Sequence, residues 1–108
     1  MFARNISIHL KPNTLSDFTQ TFEKDIVPIL RNQAGFRDEI VLAGEGTNNV
    51  NAISLWDTKE QADSYANTTY SEVLKALDKF LDGPPKVRVM IVANSTMHKL
   101  TAASIVAA

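Results

Sequence analysis

The chain has 108 residues, enough for one domain with one modest core, and eleven lysines and arginines against twelve aspartates and glutamates leave a net charge of -1. No block of like charge exceeds two residues, so the electrostatic footprint of a nucleic-acid binder is missing. Cysteine is absent, which excludes a disulfide framework, a thiolate metal site and a cysteine nucleophile together.

From Phe2 to Leu10 the sequence alternates, with Ile6, Ile8 and Leu10 on one side and Ala3, Asn5, Ser7 and His9 on the other, the pattern of a half-buried strand. An export signal is not read at this N-terminus, and no apolar run reaches the roughly 20 residues that cross a bilayer. The chain is accordingly read as cytoplasmic, with no membrane and no nucleic-acid partner.

Pro12 and Asn13 break the strand, and Thr14 with Asp17 is expected to cap a helix. Leu15, Phe18, Phe22, Ile26, Ile29 and Leu30 form its apolar stripe. Pro28 within that stripe removes a backbone donor and predicts a kink. Gly35 fits the left-handed position after the helix end near Gln33. Phe36 to Ala43 is the second predicted strand, joined by the loop up to Asn49 to a third that ends in Trp56. Gly44 and Gly46 lack the lysine and following helix of a phosphate loop.

Asp57 or Thr58 is expected to cap the next helix, with Glu60 completing a capping box. That helix pauses at Asn67 to Thr69, resumes at Ser71, and stops at Gly83, Pro84 and Pro85. Val87, Val89 and Ile91 alternate with Arg88, Met90 and Val92 in a fourth strand expected to run to Thr96. Residues 1 to 97 are read as the domain and residues 98 to 108 as a small-residue-rich tail.

Strand, helix, strand, strand, helix, strand is the order of a split βαβ unit. The predicted class is α+β, ferredoxin-like: a four-stranded antiparallel sheet with two helices on one face. Ala3, Ser7, Ala52, Ser54, Met90, Val92 and Trp56 are assigned to the other face, too apolar for solvent and too polar for a core. A second copy of the chain is its natural cover, giving a barrel-like homodimer.

The first strand, Ala34-Gly35-Phe36, and Ile53-Ser54-Leu55-Trp56-Asp57 followed by Lys59-Glu60-Gln61-Ala62 together resemble the antibiotic biosynthesis monooxygenase family. The resemblance covers about Phe2 to Thr96. It implies the dimeric α+β barrel fold, a homodimer with a pocket in each half, and Asn5 and Trp56 at positions of the family pocket. It also implies oxidation of quinol-like aromatics without a cofactor, heme degradation in some members, or no known reaction in many. Heme-degrading relatives carry a histidine on the second helical region, and Ala62 to Leu81 contains none; His9 and His98 are the only histidines.

The first and third strands are expected to be parallel neighbours, with the fourth antiparallel beside the first, so that His9, Trp56 and Arg88 meet at one mouth of the pocket. There Trp56 would wall a small aromatic ligand, Arg88 would stabilise an enolate or phenolate, and His9 would take the phenolic proton. Asn5 would orient oxygen or a carbonyl from deeper in the pocket. Ser7, Ser54 and Met90 would complete the lining. Tyr65 and Tyr70 could reach its edge. No metal-ligand spacing emerges, and Asp38 with Glu39, or Glu60 with Asp63, fail as catalytic carboxylate pairs. The expected function is oxidation of an electron-rich aromatic with neither metal nor flavin; the alternative is a non-catalytic dimeric module that binds a small ligand or stabilises an assembly.

Overall fold

The alternating N-terminal segment forms β1 (Phe2–His9), and in the computed structural model, which describes residues 1–100, it becomes a central strand. After it come α1 (Leu15–Thr21), a π-helical turn over Phe22–Ile26, and α2 (Val27–Arg31). The wide turn sits just before Pro28, near the start of α2. Proline cannot donate to the carbonyl one turn back, and the π turn absorbs the mismatch. This is the predicted kink. Phe18, Phe22, Ile26 and Leu30 stay in register through it and are buried. Thr14 does not cap α1; its hydroxyl donates instead to the Lys11 carbonyl at 2.7 Å.

The hairpin is β2 (Phe36–Ala43) and β3 (Asn49–Trp56). A bulge between Phe36 and Asp38 frees Arg37, whose guanidinium grips Asp57 through two bonds of 2.6 and 2.9 Å. Asp57 is thereby taken, and Thr58 caps α3 (Lys59–Thr68), its hydroxyl accepting from the Gln61 N–H at 3.2 Å. Gly35 has a φ of +80°, and its carbonyl accepts from the Asp57 N–H at 2.9 Å. A Cβ there would also strike the Gln61 side chain, so Gly35 is fixed by space as well as by backbone.

A one-residue break at Thr69 separates α3 from α4 (Tyr70–Leu77), which closes in a 3-10 turn over Asp78–Phe80. β4 (Lys86–Ile91) stops five residues short of Thr96. Its partner has run out: Ile91 lies opposite Phe2, and the last bond is from the Val92 N–H to the Met1 carbonyl at 2.9 Å. The tail opens at His98, which contacts Asp38 on β2; residues 101–108 of the predicted tail lie outside the described residues.

The sheet order is β2-β3-β1-β4 with every neighbouring pair antiparallel, the expected ferredoxin-like arrangement with its helices on one face. One expectation is overturned. β1 and β3 are antiparallel, with Phe2 opposite Trp56 and His9 opposite Asn49. The crossover makes β1 and β2 parallel, and β3, as the hairpin partner of β2, must oppose both.

Directly opposed residues share a face of the sheet. Ala52 lies opposite Ile6 and Ser54 opposite Arg4, so Ala52, Ser54 and Trp56 belong under the helices with Ile6 and Ile8. They do not lie on the uncovered face. That face carries Ala3, Asn5 and Ser7 from β1, Ile53 and Leu55 from β3, Ile40 from β2, and Arg88 and Met90 from β4.

Candidate functional site

The expected mouth formed by His9, Trp56 and Arg88 does not exist. His9 ends β1, where its Nδ1 is 2.9 Å from Asn49 Oδ1 and its Nε2 is 3.8 Å from Asp82. Trp56 is at the opposite end of the sheet, beneath the helices. Arg88 lies opposite Asn5 in the middle of the uncovered face, beside Met90, which opposes Ala3. Ser7 is exposed between Asn51 and Lys86. Of the predicted residues, Asn5, Arg88 and Met90 share the uncovered face, whereas Trp56 and Ser54 come together inside: the indole Nε1–H donates to Ser54 Oγ at 2.8 Å.

Around that pair the sequence builds an aromatic interior. Trp56 is fully buried, stacked on Tyr65 at 4.9 Å between ring centres and met edge-on by Phe36 at 5.6 Å. Tyr65 comes from the last turns of α3 and Tyr70 from the residue after the break; their rings lie 6.1 Å apart. Beneath them is a cavity of about 30 Å³ lined by Ile6, Glu39, Ser54, Tyr65, Tyr70, Leu74 and neighbouring aliphatics. That is room for about two waters. Tyr70 and Leu74 are its only half-buried helical walls, and both follow the Thr69 break.

The residue absent from the sequence-level reading is Arg4. It is only 4% exposed, yet among the described residues it forms no ion pair, and its Nε has no hydrogen-bond partner. Its guanidinium carbon lies 4.8 Å from the Tyr70 ring centre and 5.5 Å from that of Tyr65. Desolvated cation–π contacts of this kind return about 2 kcal/mol, a fraction of what burying an ion costs. The signal was present in the strand's phase: Arg4 stands with Ile6, Ile8 and Leu10 on the core side, where a charge needs a reason.

Register extends the polarity. Arg4, Ser54 and Glu39 oppose one another across β1, β3 and β2, forming a polar row beneath the aromatic lid. Glu39 Oε2 and the Tyr70 hydroxyl are buried without partners. Burial holds the Glu39 carboxyl above its ordinary range, Glu23 adds to the effect, and Arg31 opposes it. Burial pushes the Tyr65 hydroxyl up to about 12 and that of Tyr70 up as well, against the pull of Arg4.

Tyr65 has a consequence for alkaline stability. Its folded-state value exceeds the unfolded one, so its contribution is complete below pH 10.0 and is lost as pH rises toward about 12. Tyr65→Phe is expected to flatten that decline in denaturation midpoints measured from pH 9 to about 12. An unchanged slope would mean the hydroxyl is not held in the interior.

Neither histidine lines the cavity, and no group of three or more metal-ligating side chains occurs among the described residues. The residues present in the cavity do not fit axial heme ligation. No helix among the described residues is long and apolar enough to cross a membrane.

No protein-family profile and no curated protein matches the chain in sequence. In fold, the chain is similar to solved structures described as antibiotic biosynthesis monooxygenases. A monooxygenase from the gene ActVA-Orf6 of Streptomyces coelicolor, solved with the ligand nanaomycin D, superimposes at a TM-score of 0.74 and 18% identity, covering 91% of this chain and 92% of its own. A candidate antibiotic biosynthesis monooxygenase of Nitrosomonas europaea gives 0.71 at 12% identity over 87% of this chain and 100% of its own. Another, of Caulobacter crescentus, gives 0.71 at 12% identity over 86% and 90%. At these identities the likeness establishes the fold, and the fold alone.

Proposed function

We propose that the protein is a homodimeric monooxygenase that binds a small electron-rich phenol or enol beneath its helices and oxidises it with dioxygen. The observation that carries this reading is the aromatic-lined interior cavity with its polar row, in a fold shared with a monooxygenase solved with nanaomycin D. The chemistry is supplied by the substrate. A deprotonated ring passes one electron to dioxygen, and the radical pair joins at a ring carbon as a hydroperoxide. Loss of water then leaves a new carbonyl, so one phenol and one dioxygen give one quinone and one water. Glu39, whose carboxyl has a raised proton affinity and lines the cavity, replaces His9 as the group that takes the phenolic proton. Arg88 and Asn5, on the opposite face, have no part in this step.

Oxygen uptake with a panel of electron-rich phenols unsubstituted para to the hydroxyl tests it. The expected result is uptake well above protein-free autoxidation, one dioxygen per quinone formed, and a roughly tenfold slower rate in Glu39→Gln. Uptake no faster than autoxidation across the panel would reject the monooxygenase reading in favour of a non-catalytic ligand-binding module. One observation favours that second reading, the small volume of the cavity.

The homodimer is supported by the uncovered face. Ile40, Leu42 and Met90 are 53%, 48% and 40% exposed there, and Asn5 Oδ1 is buried without a partner. Apolar surface of this kind is covered in stable assemblies. Ile40→Asp is expected to halve the mass measured by light scattering on a sizing column. A parent protein already at the mass of one chain would sink the dimer.

A further inference from the structure

We propose that the cleft between the π turn, α2 and the open edge of β2 is the proton exit of the interior site, with Glu39 as its bridge to solvent and Glu23 and Arg31 as positioning residues that act through it. This rests on Glu39 being the base of the interior cavity and adds where its proton goes.

β2 is the outer strand of the sheet, so a side chain that faces the helices from it stands where the core meets solvent. Glu39 is the one acid placed there. It lines the interior cavity and also a surface cleft of about 210 Å³, and it is the only residue common to the two. Its Oε2 is buried without a partner, while the residue as a whole is half-buried.

The helical segment opposite forms the rest of the wall. Phe22, Ile26 and Leu30 line the cavity, and the residue after each of them, Glu23, Val27 and Arg31, lines the cleft. A step of four residues overshoots one turn of α-helix and falls short of one turn of π-helix, so a turn of each keeps both rows straight. The π turn before Pro28 thus brings Glu23 and Arg31 to the same cleft as Glu39.

Both are exposed, and neither forms an ion pair among the described residues. Arg37 and Asp38 also line the cleft but are engaged by Asp57 and His98. On the cavity side, burial keeps Tyr65 and Tyr70 protonated through the neutral range, and Ser54 on β3 stands between Glu39 and Arg4. Burial is the main cause that raises the proton affinity of Glu39; Glu23 raises it further and Arg31 lowers it. The step itself is a proton transfer without change of oxidation state. The phenolic O–H bond breaks, its proton bonds to the Glu39 carboxylate, and the carboxyl releases it to solvent in the cleft.

The first measurement needs no substrate. The full chain, with carbon-13 at its glutamate carboxyls, is titrated by NMR, and Glu39 is assigned by the signal lost in Glu39→Gln. Glu23→Gln is expected to move the Glu39 midpoint down and Arg31→Gln to move it up, while Lys75→Gln, an exposed cation on α4 outside the cleft, leaves it in place. The chain has no cysteine, so Arg31→Cys takes a thiol label at one position. A sulfonate label should raise the midpoint, and an ammonium label of the same length should lower it. In oxygen uptake, the acid limb of kcat/KM should follow these midpoints. A bulky neutral label that fills the cleft should lower kcat roughly tenfold with KM unchanged.

Midpoints unmoved by both substitutions and both charged labels would overturn the proposal. So would a bulky label that leaves kcat unchanged; if KM alone rises, the cleft is the ligand's door instead. Where no phenol is oxidised, opposite shifts in Glu23→Gln and Arg31→Gln keep Glu39 as the bridge to solvent while the oxidation falls.

Discussion

Arg4→Met is expected to raise the thermal unfolding midpoint. The guanidinium is buried with no counter-ion, and replacing a buried charge with an apolar side chain of similar length is neutral or stabilising by about 1–4 kcal/mol. In a domain of this size each kcal/mol moves the midpoint by roughly 4–8 °C. The cation–π contacts with Tyr65 and Tyr70 pull the other way, by about 2 kcal/mol at most, so the expected rise is a few degrees. A midpoint several degrees lower in Arg4→Met would make the arginine a structural pillar of the aromatic cluster.

The second large effect is on Trp56. Trp56→Ala is expected to cost about 3–5 kcal/mol, a large share of the 5–15 kcal/mol typical of a domain. The indole is fully buried, its N–H is bonded to Ser54, and its removal leaves Tyr65 and Phe36 facing a void. Urea denaturation should show a lower midpoint with an unchanged slope. Trp56→Phe keeps the stack and loses the hydrogen bond, for roughly 1–2 kcal/mol. A loss below about 1 kcal/mol in Trp56→Ala would mean that the interior closes over the gap and that the indole does not hold the cavity open.

Much of the architecture was legible because it depends on local rules. Alternation marked every strand, Pro28 marked the π turn, Gly35 the left-handed residue, and Thr69 the helix break. Trp56 was expected on the uncovered face of the sheet, whereas it lies fully buried under the helices. Alternation within β3 pairs Trp56 with Ser54 and Ala52, but it cannot say which side the helices cover. That depends on register against β1, where Ser54 meets Arg4 rather than Asn5.

The direction of β3 carried the second error, since placing it parallel to β1 gathered His9, Trp56 and Arg88 at an end they do not share. The hairpin itself contained the correction: a strand that turns back from β2 must run against β1. Arg4 escaped notice because a charge near a strand start reads as surface, whereas its phase with Ile6 and Ile8 places it in the core. Glu39 joined the cavity lining only through packing, which no spacing in the sequence displays, whereas Tyr70 was already expected at the pocket's edge.

The central claim is that the working site lies under the helices, not on the uncovered sheet face. A crystal structure of the protein with bound 4-nitrophenol tests it most directly. The account predicts the ligand under Tyr65 and Tyr70, its phenolic oxygen within hydrogen-bond distance of Glu39, with α4 shifted outward from the Thr69 break. A ligand seated instead against Arg88, Asn5 or His9 on the uncovered face would contradict it.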